Sequence, residues 1–234
     1  MTGERDVTLI CLPFAGAGAS FFRPWAALAG DHVEIVAPQL PGRERRIDDE
    51  PYRSVPAAAE GLLPEVADRF VPGRSLVLFG HSLGAVLAFE LACRLAARGF
   101  VPDGLVVSGS PGPWSPREQR ATGLPDDEFL GRVQEFAGYS HAALADPEMR
   151  ELVLPALRAD VEMHESYRPG HDTPLAAPIA AIRGSDDHLV SAEEAGQWAR
   201  ATAKDFVLVE APGGHMYLTD DARHVLRQVE SIGA

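Results

Sequence analysis

The chain has 234 residues, of which 46% are hydrophobic and 24% charged, a balance ordinary for a soluble globular protein of one large domain or one domain with an insertion. Its net charge of −13 disfavours nucleic acid and anionic membranes as partners. Residues 1–6 lead directly into a predicted strand without the pattern of a signal peptide, and no apolar run is long enough to span a membrane, which predicts a cytoplasmic protein.

Six apolar runs predict buried β-strands, in the order Val7–Phe14, Val33–Pro38, Leu76–Phe79, Leu105–Ser108, Ile179–Arg183 and Phe206–Glu210. Helical patterns lie between them, at Phe21–Ala29, Val55–Phe70, Leu83–Arg98, Ala192–Ala203 and Ala222–Ile232. Apolar strands that alternate with helices predict an α/β fold, with a mostly parallel sheet covered by helices on both faces. Cys11 and Cys93 lie in these apolar segments without metal-ligand spacing, and we expect them to be reduced core residues.

One segment interrupts the alternation of strands and helices. Between Ser110 and Pro178 the sequence predicts no strand but two helical patterns, with prolines at both borders. We therefore expect a core of residues 1–110 and 178–234, and a helical insertion over residues 111–177. Sites in such sheets form beyond the carboxyl ends of the strands, so an insertion there predicts a lid. The alternative is a pair of helices packed on the sheet with no role in access.

Residues 80–84 read Gly-His-Ser-Leu-Gly, between an apolar strand and a helical pattern. This context is typical of a nucleophile elbow, in which the serine occupies a strained strand-to-helix turn with its hydroxyl exposed. Gly80 and Gly84 flank the turn where a Cβ would collide with the neighbouring strand or helix. Ser82 is therefore the predicted nucleophile; the alternative is a glycine-rich turn with a spectator serine.

A serine hydroxyl needs an adjacent base, and in this kind of fold the acid and then the histidine follow the serine along the chain. His215 follows the last predicted strand on a loop with two glycines, and it is the predicted base. We expect the side chain of His81 to point away from the serine. The remaining histidines are expected on the surface or in the lid: His32, His141, His164, His171, His188 and His224.

The acid should follow the preceding strand, where Asp186 and Asp187 are adjacent. The sequence alone leaves both open. A Gly-x-x-Asp-x-x-Val spacing, usual in hydrolases of this kind, favours Asp187. Its task would be to hold the imidazole in one tautomer and to stabilise the imidazolium.

An oxyanion hole requires two backbone N–H groups. One should belong to Leu83, the residue after the nucleophile. The other should come from the loop after the first strand, where the position of Ala15 makes it the expected donor.

Several segments together resemble the type II thioesterases of polyketide and nonribosomal peptide synthesis, which are members of the α/β-hydrolase superfamily. The resemblance covers almost the whole chain and rests on residues 12–18, 39–43, 80–85 and 157–160, on Tyr167 and Trp198, and on residues 213–218. Leu83 stands where Met is common, and Met216-Tyr217 stands where two phenylalanines are common. Both departures keep apolar bulk and affect only the expected pocket shape.

The resemblance implies hydrolysis of an acyl thioester on the phosphopantetheine arm of an acyl or peptidyl carrier protein, which removes aberrant acyl groups. Ser82 would form an acyl-enzyme with His215 as base, without a metal or organic cofactor, in a chain expected to be monomeric. Within the resembling segments, Phe14, Tyr167 and Met216 are expected to contact the substrate, and the position and charge of Arg43, Arg45 and Arg46 make them further candidates for contact with the substrate or the carrier. Core packing is the alternative for Tyr167 and Trp198.

The arginines at 43, 45 and 46 follow the second strand on the active-site side of the sheet, and with Arg23 they are candidates to meet an acidic carrier or its phosphate. A solvated loop with internal arginine–glutamate ion pairs, including Glu44, is the alternative.

Two other functions compete with thioester hydrolysis on carrier proteins. The first is a generic carboxylesterase or acyl-CoA thioesterase, and the second is a non-catalytic carrier-binding module.

Overall fold

A computed structural model describes residues 6–117, 120–137 and 146–233. Six strands form one sheet in the order β2-β1-β3-β4-β5-β6, and all its strand pairs are parallel. The strands are Val7–Leu12 (β1), Val33–Val36 (β2), Ser75–His81 (β3), Gly104–Ser108 (β4), Ile179–Gly184 (β5) and Phe206–Ala211 (β6). The α-helices are Val55–Ala67 (α1), Leu83–Ala97 (α2), Asp126–Ala137 (α3), Pro147–Ser166 (α4), Ala192–Gly196 (α5) and Arg223–Gly233 (α6).

Helices cover both faces of the sheet, as the apolar strands predict. Successive side chains of a strand point to opposite faces, so Ile10 packs with α1 and α2 on one side while Leu9 packs with α6 on the other. All six predicted strands are present. No helix in the described part of the chain is both long and apolar enough to cross a membrane.

Two predicted helices have a different form. The segment predicted as Phe21–Ala29 is a 3₁₀ helix, Ala19–Ala27, which contains Pro24. Proline lacks the N–H that an α-helix needs, but Pro64 in α1 and Pro155 in α4 are accommodated within α-helices, so Pro24 alone does not explain the 3₁₀ form. The pattern at Ala192–Ala203 divides into the short helix α5 and a 3₁₀ turn, Gln197–Ala201, with the change at Gly196.

The residues between β4 and β5 contain α3 and α4, and no strand appears among those that the structure describes. We call residues 111–177 the insertion segment. The buried carboxylate of Glu165 near the end of α4 accepts backbone N–H groups from Arg120, Ala121 and Thr122 at 2.9 to 3.0 Å, which ties α4 to the start of the segment. His141, predicted as a surface or lid residue, lies outside the described residues.

Candidate active site

Ser82 occupies a strained turn between β3 and α2. Its φ of 53° and ψ of −113° are rare for a residue with a side chain, and such strain concentrates at functional sites. A Cβ on Gly80 would lie 1.9 Å from the carbonyl oxygen of Gly84, and one on Gly84 would lie 2.2 Å from the carbonyl oxygen of Leu12. The two glycines are therefore required by close backbone approach, and the turn has the form of a nucleophile elbow.

The structure brings His215 together with Asp187. The Nδ1 atom of His215, on the loop after β6, lies 2.9 Å from Oδ2 of Asp187, on the loop after β5. The other oxygen of Asp187 accepts the N–H groups of Leu189 and Val190, at 2.8 and 3.1 Å. Asp186 is exposed instead, and its carboxylate accepts a hydrogen bond from Ser185. Of the two aspartates that the sequence left open, Asp187 is the one in contact with the histidine.

The environment of Asp187 favours its ionised form. Burial opposes ionisation, but the hydrogen bond and charge of His215 and the two backbone N–H groups outweigh it and hold the pKa of Asp187 below its usual value. A carboxylate that stays ionised can hold the Nδ1–H of His215, which leaves Nε2 free to act as a base.

Backbone contacts fix the acid loop against the histidine loop. The N–H of Ser185 donates to the carbonyl of Ala211 at 2.7 Å, and that of Asp186 donates to the carbonyl of Gly213 at 2.9 Å. A Cβ on Gly184 would lie 2.2 Å from the carbonyl oxygen of Gly214. The separation of Asp187 and His215 is therefore set by main-chain geometry rather than by flexible side chains.

A buried polar chain lies behind His215. The rings of His81 and His215 are 4.8 Å apart between centroids, and Nδ1 of His81 lies 2.9 Å from the hydroxyl of Ser108. That hydroxyl lies 2.7 Å from the hydroxyl of Tyr217. We did not identify Ser108 or Tyr217 as site residues from the sequence. The signals were that Tyr217 lies two residues beyond His215, where the resembling family commonly has phenylalanine, and that Ser108 ends a predicted strand.

Two backbone groups flank the turn at Ser82. The N–H of Leu83 is the first in α2, where an α-helix leaves N–H groups without an intrahelical acceptor and has a positive dipole end. Ala15 lies on the loop after β1 and lines the same cavity as Ser82. Both expected oxyanion donors thus belong to segments next to the serine.

A cavity of about 300 Å³ contains the candidate residues. Ser82, His215, Phe14, Ala15 and Met216 line it from the core side. The insertion segment contributes further walls, among them Pro111, Pro116, Arg117, Val133, Val161 and His164. His164, predicted as a surface or lid residue, lies in this wall. Burial, with the charges of Arg117 and His215, lowers the pKa of His164 to about 3, so the ring is neutral.

Two of the predicted contact arginines are bound within the protein. Arg43 is buried and forms an ion pair with Asp160 of α4, so it is not available to a carrier. Arg46 binds Asp49 at 2.6 Å and the carbonyl of Gln39 at 3.1 Å.

Tyr167 belongs to the core, where it is 2% exposed and its hydroxyl donates to Glu90 at 3.1 Å. Trp198 is also fully buried and donates to the carbonyl of Ser110. Both residues therefore pack in the core, which was the alternative stated for them, and do not line the pocket. The resemblance that singled out both residues could not distinguish these two roles.

Known proteins resemble this chain over nearly its whole length. A family model described as Thioesterase domain matches residues 7–232. "Thioesterase PikA5" of Streptomyces venezuelae is 36% identical over 95% of this chain and 79% of that protein. A "Probable cadicidin biosynthesis thioesterase" of Streptomyces griseus is 37% identical over 92% of this chain but only 60% of that protein. The solved structure of YbtT, a type II thioesterase of the yersiniabactin pathway, is 31% identical with a TM-score of 0.87, covering 100% of this chain and 94% of that one.

Proposed function

Because this chain belongs to the thioesterase family and resembles its type II members, it is a thioester hydrolase, and we propose that it removes acyl groups from the phosphopantetheine arm of carrier proteins. The pathway named for YbtT is one of combined nonribosomal peptide and polyketide synthesis. The observation that carries the proposal is the contact between Asp187 and His215 at the wall of a cavity that also exposes Ser82.

In the proposed reaction, Ser82 Oγ attacks the thioester carbonyl carbon while Nε2 of His215 takes its proton. The negative oxygen of the tetrahedral intermediate accepts the N–H groups of Leu83 and Ala15. Collapse breaks the carbon–sulfur bond, and protonated His215 returns the proton to the leaving thiolate. His215 then deprotonates a water that attacks the acyl-enzyme, which releases the carboxylic acid and regenerates Ser82.

The acyl chain would occupy the cavity described above. Its walls are largely apolar, with Phe14 and Met216 on the core side and Val133 and Val161 on the insertion segment. A volume of about 300 Å³ suits a short or medium acyl chain held next to the serine. The insertion segment forms one side of this cavity, so we propose that it acts as a lid.

The carrier would meet a groove beside the loop after β1. Arg23 and Arg45 line this groove, whose volume is about 280 Å³, together with Ser20 and Glu44. Arg43 and Arg46 form ion pairs with aspartates of this chain. We therefore assign the other two cations of the predicted cluster, Arg23 and Arg45, to contact with the anionic carrier. A carrier phosphate or carboxylate would complement them.

The competing activities are separated by a panel of substrates with one acyl group. Turnover of butyryl-carrier, butyryl-CoA and nitrophenyl butyrate should show the highest kcat/KM for the carrier. A generic esterase would prefer the nitrophenyl ester, and an acyl-CoA thioesterase would show no gain from the carrier. A non-catalytic binding module would bind the carrier and turn over none of the three.

A further inference from the structure

Helix α4 of the insertion segment reaches the loop after β1 through one carboxylate. The Asp160 side chain is fully buried, and its Oδ2 accepts the backbone N–H of Gly16 at 2.8 Å. The two residues are 144 positions apart, so this contact joins the insertion to the core.

Arg43 completes this contact and binds the same loop from its other side. Its Nη1 and Nη2 donate to the two oxygens of Asp160, at 2.6 and 2.7 Å. Nη1 also donates to the carbonyl of Ala17 at 3.0 Å. The ion pair therefore holds one N–H and one carbonyl of neighbouring residues in the loop, in a low-dielectric setting where such bonds are strong.

The loop after β1 has only small side chains in its central part. Residues 15–18 read Ala-Gly-Ala-Gly, so no side chain there exceeds a methyl group. Gly16 adopts a left-handed φ of 81°, and a Cβ on it would lie 3.0 Å from Cδ1 of Leu157 in α4. One internal hydrogen bond closes a turn in this loop, from the N–H of Ala17 to the carbonyl of Phe14 at 3.0 Å. Glycine has the largest conformational freedom of any residue, so the contacts with Asp160 and Arg43 restrict the loop further.

We propose that Asp160 is a positioning residue for the oxyanion hole. By binding the N–H of Gly16 it fixes the peptide unit that joins Ala15 to Gly16. This unit is directly next to the one that carries the Ala15 N–H, so the contact restricts the backbone rotation at Ala15 that would turn its N–H away from the thioester oxygen. This contact then links helix α4 to the geometry of the oxyanion hole. This inference rests on the proposed function. It adds a role for a residue that touches neither the substrate nor the reacting atoms.

The test compares variants that alter this contact with one that alters a different tether of the same helix. Asp160→Asn keeps the size of the side chain but cannot accept from Gly16 and from both arginine nitrogens. The double variant Arg43→Met/Asp160→Leu replaces the buried pair by apolar side chains, which commonly preserves folding. The control, Glu162→Gln, breaks an exposed α4 ion pair with Arg53 of 2.9 Å that does not touch the loop.

With butyryl-N-acetylcysteamine as substrate, we expect kcat of both Asp160 variants to fall about 10- to 100-fold, because misplacing one oxyanion donor costs rate without weakening substrate binding. KM should change less than twofold. Butylboronic acid, which forms a tetrahedral adduct on the serine, should bind more weakly by the same factor as kcat. Glu162→Gln should keep the wild-type values.

Wild-type kcat in a folded Asp160→Asn or double variant would overturn the inference, and so would a loss confined to KM with boronate affinity unchanged. If Asp160→Asn does not fold, the double variant decides. A failure of the proposed function would be seen separately, because Ser82→Ala would then still hydrolyse the thioester. The positioning role fails by itself when Ser82→Ala is inactive and the Asp160 variants retain full kcat.

Discussion

The imidazole rings of His81 and His215 lie 4.8 Å apart between centroids. His81 is completely buried, and burial together with the nearby His215 and His164 holds its pKa well below the usual value. The ring is therefore neutral. A positive charge at this position would oppose the protonation of His215 on which the proposed reaction depends. Directly behind the candidate base, the fold thus keeps a histidine that carries no charge.

The burial of His81 predicts a loss of stability in acid. In the unfolded chain His81 takes up a proton as the pH falls below about 6.5, whereas in the folded chain it does not. The free energy of unfolding should then fall by up to about 1.4 kcal/mol per pH unit below that point. Urea unfolding at pH 7.5 and 5.5 should show a smaller loss for His81→Phe than for the wild type. Equal losses would show that His81 carries a proton in the folded state.

The contact of His215 with Asp187 predicts different effects for the two adjacent aspartates. Asp187→Asn keeps the shape but favours the wrong imidazole tautomer, and kcat should fall by about 10⁴-fold. Asp186→Asn alters an exposed carboxylate and should change kcat less than twofold. Steady-state hydrolysis of butyryl-CoA measures both. Similar losses in the two variants would contradict the assignment of the acid.

The lowered pKa of Asp187 also links this contact to stability. Its stabilising effect should be present above the usual carboxyl pKa of about 4 and disappear as the pH falls through the lower folded value. The wild type should therefore exceed Asp187→Asn in unfolding free energy at pH 6 more than at pH 3. A difference that does not depend on pH would mean that the carboxylate is not ionised beside His215.

The glycines of the elbow predict a steric effect that a matched glycine lacks. A Cβ on Gly84 would lie 2.2 Å from the carbonyl oxygen of Leu12, so Gly84→Ala should separate β1 from α2 and destabilise the fold by at least about 1–3 kcal/mol. A Cβ on Gly131, inside α3, would meet no atom of another described element within 4 Å, and Gly131→Ala should stabilise by about 0.4–1 kcal/mol. Thermal unfolding of both variants tests the comparison, and a Gly84→Ala protein as stable as the wild type would contradict it.

The groove beside the loop after β1 predicts a substrate-dependent loss of rate. Arg23→Ala/Arg45→Ala should lower kcat/KM for butyryl-carrier about 10-fold and leave butyryl-N-acetylcysteamine unchanged, because only the carrier reaches the two cations. Arg223→Ala/Arg227→Ala on α6 removes the same charge elsewhere and should affect neither substrate. If both double variants slow the carrier reaction equally, net charge rather than this groove governs the encounter.

Local patterns were sufficient to predict the six strands, the elbow glycines and the loops that carry Asp187 and His215. Each depends on residues close together in the sequence, such as the apolar run before Gly80. The role of Arg43 was not predictable in this way, because its partner Asp160 lies 117 positions later and only folding brings them together. The 3₁₀ form of the first helix was missed because a short apolar pattern does not distinguish a 3₁₀ helix from an α-helix.

The central claim is that Ser82 cleaves acyl thioesters from a carrier protein. Its most direct test is the intact mass of a butyryl-phosphopantetheinyl carrier protein incubated with this enzyme or with Ser82→Ala. We predict that the wild type converts the carrier to its free-thiol mass within minutes. With Ser82→Ala the carrier should lose its butyryl group no faster than in buffer alone. A carrier that keeps its acyl group with the wild type, or loses it equally fast with Ser82→Ala, would contradict the claim.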